Sequence, residues 1–381
     1  MVTTEPRSAP QHPREGEVVA ALRERTALTR AEIAETTGLS RSTVSSVLGT
    51  LLEEGAVVIA GYDEQPGRGR PTERVQIDRR VVRSVGVDFG HGKVRAVALS
   101  LLGDELLDSS VAHNDLIDWP QRRELVQQVL DDLALPTDLP ALRGVGLGLS
   151  GPTPLPPNGT GPWQPIVADL ADRFGVPVQV DNTTRFAAFA EHRAASTSSA
   201  ITLHLRCFQG VGGAVVRDGR IDHGATGMAG EIGHLQVEQP GVGCRCGKYG
   251  CLETVASTPA MLAHCRDRSL PITTIAELRQ AVAQRHDHVL PLRQHLTHAL
   301  AHALVVAATL VDPDEIILSG DVLDRDDTLL IDIYQVYAAA LGDRFRPAPI
   351  VHGRLDGRAG ALGAALGFAH PSTGAHSAAD S

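Results

Sequence analysis

Lysine is nearly missing from this chain: Lys93 and Lys248 stand against 33 arginines. We read that imbalance as base-composition bias with no functional content. An excess of positive charge is missing as well. The 35 basic residues face 45 acidic ones, a net charge of -10, which excludes a broad cationic surface for nucleic acid or anionic membrane. Any DNA contact must therefore be local. Residues 1–80 hold 11 basic and 12 acidic side chains, a balance of -1, so the other -9 lies in residues 81–381. No apolar run approaches the ~20 residues of a membrane span, and the first residues lack the apolar block of a secretory signal. A cytoplasmic protein without membrane contact is expected. Cysteine is scarce, five in all, and an odd number without an export signal argues against a disulfide framework.

What is present is an ordinary globular composition, 43% hydrophobic and 21% charged over 381 residues, long enough for two or three domains at roughly 100–200 residues each. Residues 1–15 and 370–381 read as loose tails. Between them, residues 16–80 read as a small helical unit followed by a hairpin. Val18, Val19 and Leu22 form one helical face, Ile33 and Ala34 a second, and Val44, Val47, Leu48, Leu51 and Leu52 a third, with Ser40 as N-cap and Gly55 as stop. VVIAGY and ERVQID, separated by DEQPGRGRPT, read as two hairpin strands. Three helices and a hairpin make a winged helix-turn-helix. From Val81 onward, buried strands (SVGVDFG, RAVALSLL, GVGLGLS, VPVQVD, AITLHL, GGAVV, EIILSG) alternate with helix-length segments at 121–134, 183–195 and 291–311, which predicts α/β layers. Glycine-rich turns recur after strands, at Asp88-Phe89-Gly90 and at Gln209–Gly213, as two related halves would produce.

Within the first unit, Ala34 lets two helices approach, Gly38 permits a left-handed turn residue, and Val44 and Val47 seal the second helix onto the first, the spacing of a helix-turn-helix. Arg41, Ser42, Thr43 and Ser45 would then stand at the exposed start of a recognition helix, suited to phosphates and base edges of double-stranded DNA. The bland alternative is a solvated helical hairpin. Gly67-Arg68-Gly69-Arg70-Pro71 resembles an AT-hook core, in which Arg68 and Arg70 on a slim backbone enter a minor groove. Its alternative is a flexible linker.

His234, Cys244, Cys246 and Cys251 supply three thiolates and an imidazole, the donor set of a closed, structural zinc site. Gly243, Gly247 and Gly250 let the backbone turn tightly around the thiols. With four protein ligands no position is left for an activated water. Unligated thiols are the alternative. Cys207 and Cys265 read as plain core residues.

On Gly86–Gly90 (GVDFG), Val180-Asp181-Asn182, Gly224–His234 (GATGMAGEIGH), Cys244–Glu253 (CRCGKYGCLE) and Ile316–Gly320 (IILSG), the chain resembles the ROK family of repressors and sugar kinases, in its DNA-binding branch. The resemblance spans about residues 16–370. It implies two actin-like, sugar-kinase-like lobes, here 81–200 and 201–369, with a sugar and nucleotide cleft between them and the final helix returning to the first lobe. It also implies that Asn182, Glu231, His234 and Glu253 hold sugar hydroxyls, which carboxylates, an amide and an imidazole N–H can do.

One position departs. Kinases of this family read Asn-Asp-Ala-Asn, with the Asp as general base, whereas this chain reads Asn182-Thr183-Thr184-Arg185. A threonine hydroxyl cannot replace a carboxylate as proton acceptor. The second phosphate turn, normally Gly-Thr-Gly-x-Gly, is Phe208-Gln209-Gly210-Val211-Gly212. The expectation is a sugar-responsive regulator, a repressor in type, with a catalytically dead kinase fold as sensor. It is not an enzyme on this reading, takes a sugar or sugar-phosphate effector, and binds DNA as a homodimer or homotetramer. An active sugar kinase with an attached DNA-binding domain is one alternative, and a regulator controlled by a protein partner is another.

Overall fold

Capping chemistry sets out the N-terminal elements of the computed structural model, which describes residues 12–63, 71–114, 117–151, 161–195, 199–323 and 326–369. Helix α1 (Glu15–Glu24) is followed by the short strand β1 (Leu28–Thr29), α2 (Arg30–Thr37), α3 (Arg41–Glu53) and the strands β2 (Val57–Asp63) and β3 (Thr72–Ile77). Thr29 and Glu32 close a capping box on α2, and Ser40 caps α3 by accepting from the Thr43 amide. These contacts satisfy amides that the first turn leaves without helical partners. Gly38 sits at φ +69° between α2 and α3, a conformation that only glycine adopts at little cost. Val18, Leu22, Ile33, Val44, Val47, Leu48 and Leu51 bury together with Val57 and Val75. β2 and β3 pair antiparallel as the expected hairpin, and β1 adds a third strand, giving the order β1-β3-β2. The arm residues Arg68 and Arg70 lie outside the described residues.

Two five-stranded sheets follow, each with the same strand order. In the first, β4 (Val82–Phe89), β5 (Lys93–Ser100) and β6 (Glu105–Ala112) form an antiparallel meander; after α4 (Trp119–Asp132), β7 (Gly144–Leu149) runs parallel to β4. Helix α5 (Gln164–Phe174), β8 (Val178–Asn182) and α6 (Thr183–Ala194) complete the half, in the order β6-β5-β4-β7-β8. In the second, β9 (Ile201–Cys207), β10 (Val211–Arg217) and β11 (Arg220–Asp222) form the meander. Helices α7 (Glu253–Ala256), α8 (Thr258–Asp267), α9 (Ile275–Ala283) and α10 (Leu290–Val311) precede β12 (Glu315–Gly320), which is parallel to β9. Then come α11 (Asp327–Leu341), β13 (Ile350–His352) and α12 (Ala359–Ala369), in the order β11-β10-β9-β12-β13. The recurrence of glycine turns in the sequence reflects this repeated topology.

The chain divides into two compact units, one built from the described residues of 1–149, 160–181 and 361–381, the other from those of 150–159 and 182–360. The division differs from the expected boundary at 200/201. Helix α6 follows a strand of the first sheet, yet its Ala188 is buried with Ala214 and Val216 of β10, which places it in the second unit. At the other end α12 lies on the first sheet. A Cβ at Gly86 would stand 2.0 Å from the Ala361 carbonyl oxygen, and one at Gly146 would stand 2.1 Å from that of Ala364, so the glycines in β4 and β7 are what let this helix approach. The winged helix-turn-helix is not a separate body either, because Leu101 and Ala141 of the first sheet's surroundings belong to its core.

The chain does contain an apolar helix longer than its sequence suggested. Among the described residues one helical stretch, Asp287–Val311, is long and apolar enough to cross a membrane. Leu292, Leu296, Leu300 and Leu304 of α10 are buried in the core of the second unit, together with Cys207, Cys265 and Leu318, which accounts for that apolarity.

Candidate functional site

The start of α3 carries the expected DNA-reading residues. Arg41, Ser42 and Ser45 are exposed and Thr43 is half-buried. The Ser40 hydroxyl lies 2.8 Å from both the Ser42 and the Thr43 hydroxyls, so the cap residue also orders its neighbours, while Arg41 and Ser45 extend from the same turn. A residue that sequence reasoning missed braces this unit. Arg74 on β3 donates to Asp63 at 2.6 Å, to the Ala27 carbonyl at 2.9 Å and to Glu32 at 3.2 Å, joining both hairpin strands to α2.

The His234, Cys244, Cys246 and Cys251 side chains converge, with their donor atoms all within 4.8 Å of one another. Cys246 Sγ is 3.6 Å from Cys251 Sγ, and Cys244 Sγ is 3.6 Å from His234 Nδ1. A tetrahedral ion with metal–sulfur bonds of about 2.3 Å would hold sulfurs roughly 3.7 Å apart, so the cluster already has the spacing of a metal site. The turn closes through Cys244 N–H to Lys248 O at 2.7 Å and Gly247 N–H to Cys244 O at 2.9 Å. Burial, then the neighbouring thiols, push the Cys251 thiol up to about 12. The exposed Cys246 is held below its ordinary value, first by the backbone hydrogen bond from Lys248. Without a cation, three clustered thiols cannot all ionise; a divalent ion removes that obstacle.

The residues carried over as sugar ligands, Asn182, Glu231, His234 and Glu253, lie in the second unit; His234 belongs to the cluster and Glu253 lies beside it. Glu231 and His234 border an open hollow of about 570 Å³ shared with Met228, Lys248 and Leu310. Glu253 Oε1 is 3.9 Å from Cys244 Sγ. Each of these side chains is already engaged within the protein. Asn182 caps α6 by accepting from Thr184 N–H at 2.7 Å and donates to the Gly151 carbonyl at 2.9 Å. Glu253 Oε2 accepts from Arg245 at 2.7 Å and from the Val211 amide at 3.1 Å. Arg185, almost fully buried, donates to the Gly227 carbonyl and lies 3.5 Å from Glu231 Oε1. Lys248 Nζ donates to the His234 carbonyl at 2.7 Å.

Beside Arg74, Arg185 and Arg245 are thus further residues that sequence reasoning missed. Arg185 was visible as the last member of Asn182-Thr183-Thr184-Arg185, but nothing local shows which carboxylate it meets. Thr183 is the first residue of α6. Asp181, the neighbouring carboxylate, is buried where Asn182 is half-buried, the alternation of a strand. The turn that replaces the second phosphate loop is closed by Phe208 N–H donating to Gly210 O at 3.0 Å. A Cβ at Gly212 would stand 2.4 Å from the Thr184 hydroxyl oxygen.

A family model for the ROK family matches residues 84–370, and one for the IclR helix-turn-helix domain matches residues 16–58. The chain is 28% identical over 364 residues to the DNA-binding transcriptional dual regulator NagC of Escherichia coli (strain K12), covering 88% of this chain and 87% of that protein. It is 28% identical over 250 residues to the xylose repressor of Bacillus subtilis (strain 168), covering 62% and 63%. A solved ROK family transcriptional regulator, a homolog of the E. coli MLC protein, shares the fold with a TM-score of 0.75 at 22% identity over 93% of this chain and 95% of that one. A ROK family glucokinase from Streptomyces griseus, solved with glucose and AMPPNP, has a TM-score of 0.63 at 25% identity, covering 75% of this chain and 98% of its own.

Proposed function

Since the chain belongs to the ROK family and carries an IclR-type helix-turn-helix ahead of its ROK region, we propose that it is a sugar-responsive, DNA-binding transcriptional regulator whose sugar-kinase fold serves as the sensor. The observation that carries this reading is the N-terminal unit itself. Its described residues form three helices and a strand hairpin, with the polar start of α3 exposed, joined to a fold whose relatives include a named transcriptional regulator and a named repressor. Arg41, Ser42, Thr43 and Ser45 contact base edges and phosphates of a double-stranded operator, and Arg68 and Arg70 grip the adjacent minor groove. Two or four copies of the chain act together on the operator.

The second unit supplies the effector site. Asn182, Glu231, His234 and Glu253 hold the hydroxyls of a sugar or sugar phosphate, which must share Glu231 and Glu253 with Arg185 and Arg245. His234, Cys244, Cys246 and Cys251 hold zinc through Nδ1 and three thiolates. The ion is structural: it ties the segment bearing Glu231 to the segment bearing Glu253, so both carboxylates keep their places. The effector acts by favouring one of two conformations that differ in DNA affinity.

The chain does not phosphorylate sugar on this reading. Thr183 stands where the kinases carry the carboxylate that accepts the hydroxyl proton, a loss commonly worth about 10²- to 10⁴-fold in rate. Gln209 stands where the phosphate turn carries threonine.

The test is a thermal-shift screen of the full chain against sugars and sugar phosphates, followed by two assays on every hit. A ligand at about 100 times its Kd should add about 2.7 kcal/mol to stability. A sugar that changes affinity for DNA selected from genomic fragments, without ADP release in its presence, is the expected result. Turnover near about 1 s⁻¹ would establish a kinase instead.

A further inference from the structure

Four charged side chains are buried together where the winged helix-turn-helix meets the first sheet. Arg83, 1% exposed, donates to Glu15, to Glu54 at 2.9 Å and to the Ala141 carbonyl at 3.3 Å. Arg143, 8% exposed, donates to Glu54 and lies 4.0 Å from Glu15. The two glutamates are 2% and 11% exposed. Their positions matter more than their number. Glu54 is the C-cap of the recognition helix α3, and Glu15 is the first residue of α1. Arg83 is the second residue of β4, and Arg143 directly precedes β7, so both arginines stand at the starts of the two central, parallel strands of the sheet.

Buried ion pairs are poor sources of net stability, because desolvation offsets their attraction; their better-attested use is to select one geometry among several. The surroundings here suit that use. The connection from β3 to β4 is short, residues 78–81, and the Asp78 amide is tied to the Ala56 carbonyl at 3.0 Å. Leu101 and Ala141 close the apolar core beneath α1 and α3. Apolar contact alone packs neighbouring elements without setting the angle between them, whereas hydrogen bonds from fixed guanidinium planes to carboxylates at the ends of two different helices are directional.

We propose that Arg83 and Arg143 are positioning residues for DNA recognition: through Glu15 and Glu54 they set the direction of α3 relative to the first sheet. In an assembly of two chains on DNA, that direction fixes the spacing of the half-sites read together. The inference rests on the proposed DNA-binding function. It adds that the spacing preference is carried by residues which touch no DNA.

The test uses the full chain and DNA selected from random genomic fragments. Wild-type protein should select paired half-sites of one spacing; failure to select any DNA would overturn the function proposed above, and selection without a preferred spacing would overturn this inference. Arg83→Ala should leave affinity for an isolated half-site within about twofold, while affinity for the paired site falls by at least about tenfold as joint engagement fails and selected spacings broaden. Arg83→Lys should restore part of the spacing preference. If Arg83→Ala does not fold, judged by circular dichroism, Arg83→Met combined with Glu15→Met removes the pair without leaving a lone buried charge, and the same outcomes apply. Unchanged spacing and paired-site affinity, or an equal loss on isolated and paired sites, would show that the network only stabilises the fold and would overturn the proposal.

Discussion

Arg185 reaches across 46 residues of sequence to Glu231, its guanidinium 3.5 Å from Oε1 while also donating to the Gly227 carbonyl. The helix α6, which Asn182 caps, and the turn that bears Glu231 are therefore joined by a side chain standing at the last position of the Asn-Asp-Ala-Asn pattern. Arg245 does the same to Glu253 at 2.7 Å. Both carboxylates that the family resemblance assigns to sugar hydroxyls have a guanidinium partner from the protein itself. A ligand that uses them meets acceptors already oriented and partly neutralised.

Replacing Arg185 by Leu should destabilise the protein by about 1–3 kcal/mol, the cost of leaving the Gly227 carbonyl and the half-buried Glu231 without their donor. Urea unfolding followed by circular dichroism reads this as a lower midpoint at an unchanged slope. A midpoint equal to that of wild type would mean that water replaces the guanidinium without cost.

One zinc per chain is expected by elemental analysis of protein purified without chelator. Cys246→Ser should lower metal content and thermal stability together, because the affinity of a structural metal is folding free energy. Strong chelation should have the same effect on wild type and little further effect on the variant. Metal-free protein with wild-type stability would contradict the assignment.

Arg41→Ala, and the pair Arg68→Ala with Arg70→Ala, should weaken DNA binding and flatten its salt dependence. For every phosphate that a removed guanidinium had neutralised, the slope of log K against log salt should fall by roughly 0.9. Gel-shift titrations over several salt concentrations measure it. Unchanged affinity in both the helix and the arm variants would remove the DNA-reading role from these residues.

His204 offers a pH test that involves neither DNA nor metal. Its ring is buried on β9 with Nε2 3.1 Å from Ser319 Oγ, and burial, assisted by Arg206, lowers its pKa to about 3. An unfolded histidine titrates near about 6.5. Between those values the unfolded chain binds the extra proton, so this contribution to stability is complete above about pH 6.5 and is lost as pH falls toward about 3. Urea midpoints at about pH 7.5 and about pH 5 should therefore differ less in His204→Gln than in wild type. His192 and His264, also lowered by burial, should leave the variant some residual dependence. Equal pH dependence in the two proteins would mean that His204 takes up its proton as readily in the folded chain as in the unfolded one.

Much of the molecule was legible from local signals. The turn residue Gly38, the cap Ser40, the apolar face of α3 and the spacing of His234, Cys244, Cys246 and Cys251 lie within short stretches of chain. Helical periodicity, capping and turn preference act over that same range. Strand β6 escaped because Glu105–Ala112 is a mostly half-exposed edge strand whose composition carries no strong apolar alternation.

The placement of α6 escaped for a different reason. Its sequence predicts a helix at the right residues, but whether that helix covers the sheet before it or the sheet after it depends on Ala188 meeting Ala214 and Val216. The glycines of β4 and β7 likewise acquire their meaning only once α12 arrives from more than 200 residues away. The arginine partners are the clearest case. Arg83 meets Glu15 across 68 residues and Arg143 meets Glu54 across 89. An arginine reads the same in sequence whether it is solvated or buried against a carboxylate. Sequence alone determined the elements with a strong local pattern and which donors lie close together along the chain. The tertiary structure decided which charges are taken out of water together, because desolvation and pairing are set by neighbours in space.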